Sequence, residues 1–111
     1  MDYIILGENI RKYRRAVGMT QEKLGEECER SDSHIGQIEN ARGIPSLETT
    51  VNIANVLNVT VDQLLAENYT HPEQVYLKEI AERISKYSVA DRIRACEAFS
   101  NYLDMIERWG K

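Results

Sequence analysis

The sequence predicts an all-α protein, with five short helices in one compact domain followed by a C-terminal two-helix hairpin. Three features predict it. Apolar residues recur three or four positions apart in each apolar segment, the spacing that lines one face of a helix. Ser or Thr stands ahead of most of those segments, where a side-chain oxygen can accept from the amides that open a helix. Between the segments fall Gly18, Gly43, Pro45, Asn58 and Pro72, residue types that stop helices or start new ones.

In chain order, the first helix is expected over Leu6 to Val17, burying Leu6, Ile10, Tyr13 and Val17 and ending at Gly18. Met1 to Ile5 reads as a short extended lead-in. Thr20 caps a second helix, Gln21 to Cys28, in which Leu24 and Cys28 share a face with Gly25 beside them. Glu29 and Arg30 alone separate it from a cap at Ser31 and a third helix over 32–39, whose Ile35 and Ile38 form an apolar stripe. Two helices so short and so closely joined cross steeply, with small residues where the backbones meet, and Gly25 suits that place. With Ile35 and Ile38 turned inward, Asp32, Ser33, His34, Gly36 and Gln37 fall on the other faces. Such short or amide-bearing side chains suit a helix that enters a groove and exchanges hydrogen bonds there.

Asn40 to Pro45 reads as a loop, and Ser46 caps a fourth helix whose Leu47, Val51, Ile53, Ala54 and Leu57 are expected to close the core. Asn58 ends it. Thr60 to Gln63 has capping-box form and opens a fifth helix carrying Val61, Leu64 and Leu65. Ala66 to His71 reads as a polar linker, which bounds a first domain at 1–66 and leaves 67–72 between the domains. Pro72 suits the first position of the next helix. Residues 73–111 then form the helical pair. Its first helix, Glu73 to Tyr87, carries Tyr76, Leu77, Ile80, Ala81, Ile84 and Tyr87; after a second capping box, Ser88 to Asp91, the last helix carries Ile93, Cys96, Phe99, Tyr102, Leu103, Ile106 and Trp109. Two helices of this size cannot bury both stripes against each other. The surplus must cover the first domain or a second subunit, and a symmetric homodimer through Phe99, Tyr102, Leu103, Ile106 and Trp109 is the favoured reading.

Composition narrows the function classes. With 111 residues, 42% of them hydrophobic, the chain suffices for one core plus an appendage. No run approaches the roughly 20 apolar residues of a membrane span, and the N-terminus lacks signal-peptide character, so no membrane association and a cytoplasmic location are expected. Cys28 and Cys96 are isolated, without metal-ligand spacing, and read as reduced core thiols; no metal is expected. Paired carboxylates, Cys-His or Ser-His arrangements and a Gly-rich phosphate loop are all missing, which argues against an enzyme and against a cofactor. The net charge of -4 opposes nucleic-acid binding unless cations are gathered locally. Arg11, Lys12, Arg14 and Arg15 do cluster on the first helix, and Arg42 follows the third.

Taken as an ordered set, TQEKLG, SxxxIxQIEN and IPSLETTVNIANVLNVTVDQLL resemble the Cro/CI-type (XRE) helix-turn-helix family of phage and bacterial repressors, from about Leu6 to Leu65. The resemblance implies a five-helix, lambda-repressor-like domain that binds double-stranded operator DNA through the helix over 32–39. It implies base-edge contacts from positions matching Asp32, Ser33 and Gln37, and a backbone or outer-base contact from Gln21. Asn40 and Arg42 match positions that grip phosphate; His34 and Arg30 are further candidates. Asp32 is anionic and unsuited to phosphate; it can accept from a cytosine amino group or stabilise the helix N-terminus, and the second is the favoured reading. Arg14 matches an Arg that pairs with the residue matching Glu39, a structural salt bridge. The chain departs from the pattern at Glu29 and Ala41, where the family usually has Gly, and at Arg30, where it has an apolar residue. A left-handed backbone at Glu29 would cost about 1 kcal/mol relative to Gly, which favours a turn of different shape. The leading expectation is a transcriptional regulator, most simply a repressor acting as a dimer on a palindrome. A protein-interaction module, an antitoxin or adaptor with vestigial DNA affinity, is the alternative that the acidic balance supports.

Overall fold

The computed structural model describes residues 1–30 and 32–110, and of residues 32 and 33 the backbone alone. It is all-α among these residues. The helices are α1 (Tyr3–Ala16), α2 (Gln21–Glu27), α3 (Asp32–Glu39), α4 (Leu47–Leu57), α5 (Val61–Leu65), a 3-10 turn at Ala66–Asn68, α6 (Glu73–Ile84) and α7 (Val89–Trp109). The chain divides into two compact units, Met1–Val75 and the part from Tyr76 onward.

In the first unit Leu6 and Ile10 of α1, Leu24 of α2, Ile35 and Ile38 of α3, Ile53 and Leu57 of α4 and Leu64 of α5 meet in a single core. Removing one such side chain from water contributes about 1.5–3 kcal/mol, so these eight anchors hold the short helices that none could hold alone. Side-chain caps open them: Thr20 Oγ1 accepts from Lys23 N, Ser46 Oγ from Thr49 N, and Thr60 completes its capping box with Gln63. The cap expected at Ser31 lies outside the described residues.

Four helix ends close in the same way. After α1, α2, α3 and α4 stand Gly18, Glu29, Ala41 and Asn58, with φ of 70°, 55°, 58° and 56°. In each case the next amide reaches back to a carbonyl five residues earlier: Met19 N to Arg14 O, Arg30 N to Gly25 O, Arg42 N to Gln37 O and Val59 N to Ala54 O. This is the Schellman arrangement, which needs one left-handed residue. The α2–α3 turn therefore keeps the left-handed shape although Glu29 is not Gly, contrary to the expectation of a different turn.

Several boundaries and burials differ from the sequence reading. The N-terminal lead-in is helical, because Asp2 Oδ1 accepts from Ile4 N and Ile5 N and starts α1 three residues early. Val17 lies past the end of α1 and is exposed. Leu47 is 76% exposed and Val51 lies at the surface, whereas Thr49 and Thr50 take the buried flank of α4. Their hydroxyls are satisfied there, Thr50 Oγ1 donating to Ser46 O and Thr49 Oγ1 accepting from Ser46 Oγ and from Arg30 Nη2.

The segment expected to be a linker begins as part of the domain. Ala66 is fully buried in the 3-10 turn. Asn9 Nδ2 donates to Leu64 O and Glu67 Oε2, Asn68 Oδ1 accepts from Asp2 N, and Tyr69 Oη donates to Asp62, which raises the phenol pKa. These bonds tie residues 66–69 back onto α1 and α5.

In the second unit α6 ends at Ile84, short of Tyr87, and Ser88 Oγ accepts from Asp91 N to start α7, one half of the expected capping box. Ile80, Arg83, Ile84, Tyr87, Ala95 and Phe99 line a pocket between the two helices. None of the described residues of α6 or α7 is buried. Cys28 is buried in the first unit, where desolvation raises its thiol pKa, but Cys96 on α7 is exposed and is not a core thiol.

Candidate nucleic-acid interface

Helix α3 is pinned by its inward side. Ile35 is fully buried and Ile38 2% exposed, so the face carrying Gln37 is held outward by two side chains that cannot leave the core cheaply. Gln37 and Asn40 are exposed, three positions apart and on one face. Asp32 and Ser33 belong to the start of α3, but their side chains, and Ser31, lie outside the described residues. Gln37 has Gly43 beside it, a Cβ there coming 3.5 Å from the Gln37 Cβ. Arg42 is exposed at the end of the Schellman turn, and His34 is half-buried.

Behind this face sits a polar cluster centred on Glu39. Its carboxylate is buried and takes Arg14 bidentately, Nε to Oε2 at 2.6 Å and Nη2 to Oε1 at 2.9 Å. Arg14 Nη1 also donates to Met19 O, so one guanidinium joins α1, the α1–α2 turn and α3. Gln21 Nε2 donates to Glu39 Oε1 at 3.1 Å and its side chain lies over Gly36. Arg11 Nε adds a further bond to Oε1 at 3.3 Å while Arg11 Nη2 donates to Asn40 Oδ1 at 2.7 Å. Burial pushes the Glu39 carboxyl pKa up; the hydrogen bonds from Arg14, Gln21 and Arg11 and the Arg14 charge outweigh it, leaving the group below its ordinary value. The hydrogen bond to Glu39 raises the Arg14 pKa in turn.

The structure thus leaves Gln37 on α3, and Asn40 and Arg42 in the turn that ends it, exposed, with half-buried Gln21 lying over Gly36. Arg30 is used differently from the rest. Its Nη2 donates to Thr49 Oγ1 and its Nη1 to Glu29 O, fastening the α2–α3 turn to the start of α4 while the side chain stays accessible. Sequence reasoning missed the part played by Arg11. The available signal was its spacing, three residues before Arg14 and hence on the same side of α1.

Comparison with known proteins decides the family: a model of the helix-turn-helix domain matches residues 5–67, more than half of the chain. The chain belongs to the helix-turn-helix family. Within it the protein is of the Cro/CI (XRE) type, a group of DNA-binding transcriptional regulators. This helix-turn-helix protein is 34% identical over 70 residues to the control protein C.SmaI of Serratia marcescens, covering 63% of this chain and 83% of that one. It is 36% identical over 64 residues to the uncharacterised HTH-type transcriptional regulator YazB of Bacillus subtilis, covering 58% and 93%. Among solved structures it resembles the restriction-modification controller protein C.AhdI from Aeromonas hydrophila, with a TM-score of 0.55 and 27% identity. That match takes in 96% of the controller but 57% of this chain. Among the described residues, no helix is long and apolar enough to cross a membrane.

Proposed function

We propose that the protein is a repressor that binds a palindromic operator as a homodimer in the cytoplasm and occludes the promoter there. The observation that carries this reading is the rigid presentation of Gln37, outward on a helix whose opposite face is locked by Ile35 and Ile38. The Gln37 amide can bond an adenine edge bidentately, worth about 1–3 kcal/mol of discrimination. Gln21 meets the backbone or an outer base, with one of its amide hydrogens already engaged on Glu39. At the start of α3, Ser33 is the candidate for a base or phosphate contact, and Asp32 the candidate for a cytosine amino group or, preferably, for stabilising the helix N-terminus. Asn40 and Arg42, with His34 and Arg30 at the margins, hold phosphates. Two copies joined through α7 would set two such helices about one DNA turn apart.

The test is selection of bound sequences from a random duplex pool, with a palindrome expected. Gln37→Ala should relax the preference at one base pair of each half-site and leave thermal unfolding unchanged; an identical selected motif would remove Gln37 from base reading. The net charge of -4 favours one second reading, an adaptor or antitoxin that uses the fold to hold proteins. Salt separates the two. An operator binder loses affinity steeply as salt rises and keeps a sequence preference, whereas an adaptor shows neither. The likeness to C.AhdI, a restriction-modification controller, adds control of a restriction-modification system as the regulatory setting to examine first.

A further inference from the structure

One cation that reaches the exposed end of α3 comes from α1. Arg11 lies one-third exposed beside fully covered Glu39 and spans from that carboxylate to the Asn40 carboxamide. A guanidinium has donors alone, so the end of the Asn40 amide that meets it must be the oxygen. A phosphate offers acceptors alone. Pinning the oxygen inward leaves the amide nitrogen and its two hydrogens turned away from Arg11, at an exposed position on the Gln37 face. Without Arg11 an exposed carboxamide is free to turn over and present its oxygen instead.

We propose that Arg11 is a positioning residue of the DNA interface, setting the Asn40 amide with its donors toward the sugar-phosphate backbone. This rests on the DNA-binding reading above. The Arg11 bond to Glu39 supplies the rigidity, since Glu39 is itself fixed by Arg14. Arg11 acts through Asn40, so the two residues form one functional unit and their losses do not add.

The test uses the full chain and the duplex selected from the random pool. Arg11→Met keeps the stem without donors, Asn40→Ala removes the amide, and a double variant combines them. Each single change should weaken binding about tenfold, the scale of one charge-assisted hydrogen bond, with the selected motif unchanged. The double variant should bind no worse than the weaker single. Asn40→Asp supplies a readout that a purely structural contact would not move: it strengthens the bond to Arg11, so thermal stability holds or rises while binding falls. Additive losses near a hundredfold, wild-type binding by a folded Arg11→Met protein, or undiminished binding by Asn40→Asp would each overturn the proposal. In all three cases the wild-type protein still selects a motif. If it selects none, the operator reading fails, and the role of Arg11 with it.

Discussion

Glu29 and Ala41 carry left-handed backbones without the glycine that makes such geometry easy, and both sit in the turns that frame α3. For an L-residue this conformation costs about 1–2 kcal/mol, part of which glycine returns as extra unfolded-state entropy. Glu29→Gly and Ala41→Gly should therefore each stabilise the protein by about 0.5–1 kcal/mol, read as a higher denaturation midpoint at unchanged m-value. A loss of stability in either would show that the side chain supplies something the turn needs. Glu39 presents the opposite situation, a side chain the fold cannot spare. Its pKa is depressed, so its contribution is complete above the unfolded carboxylate value of about 4.3 and is lost as pH falls through the folded value. At neutral pH Glu39→Gln leaves Arg14 buried and unpaired, at a cost of about 3 kcal/mol. Because that variant lacks the titrating group, the stability gap between it and the wild type should narrow on acidification below pH 4.3 or so. A gap that is constant from neutral to acid pH would mean that Glu39 is not what titrates.

Helix α1 passes close enough to the end of α3 that one position tolerates no side chain. A Cβ at Gly7 would lie 2.6 Å from Ile38 O and closer still to Glu39 O. Neither is the far end of a flexible side chain. Ile38 O accepts from Ala41 N in the turn, and Glu39 is held by the salt bridge. Gly7→Ala should destabilise by about 2–3 kcal/mol in a denaturant titration and displace α3, weakening operator binding further than stability alone explains. Near-wild-type stability would mean that the two helices can separate at little cost. This contact also shows where sequence reasoning stops. Periodicity made the third, fourth and fifth helices legible, and caps at Ser46 and Thr60 the last two, since Ile35, Ile38, Ile53 and Leu64 sit where their spacing put them. Gly7 gave no signal, because close approach between distant segments leaves no local pattern. Thr49 and Thr50 were passed over because a hydroxyl bonded within its own turn, as Thr49 Oγ1 is by Ser46 Oγ and Thr50 Oγ1 by Ser46 O, is buried as readily as a methyl, and hydrophobic spacing does not see it. The 66–69 segment looked like a linker for the same reason: Asn68, Glu67 and Tyr69 read as solvated until their partners Asp2, Asn9 and Asp62 are brought beside them. At the interface the Arg14–Glu39 geometry accompanies the family pattern, whereas Arg11 depends on a hydrogen bond between residues 29 positions apart.

Among the described residues, the first unit has a closed core and the second has none. Phe99 is 46% exposed, Leu103 55%, Ile106 47% and Trp109 79%, on a helix that runs for 21 residues with none of them buried. So much apolar surface on one stripe is unusual for a side left in water, and it recurs at helical spacing rather than scattered singly. A second copy would be the cover that also serves the proposed function, because a palindrome needs two recognition helices at a fixed separation. Phe99 and Leu103 lie four apart near the middle of α7, where antiparallel or parallel pairing alike would place them at the centre of the contact. Replacing both with Ser or Gln should yield a monomer whose first unit still unfolds cooperatively, because none of the anchors around Ile35 and Ile38 belongs to α7. Operator affinity should fall by far more than one half-site contact explains, as the second binding event ceases to be intramolecular. Sedimentation of the wild type and the double variant over a range of concentrations decides it. A wild type that is monomeric at micromolar concentration would take away the dimer, and with it the need for a palindrome, while leaving the single recognition helix and Gln37 to be judged by the selected motif alone.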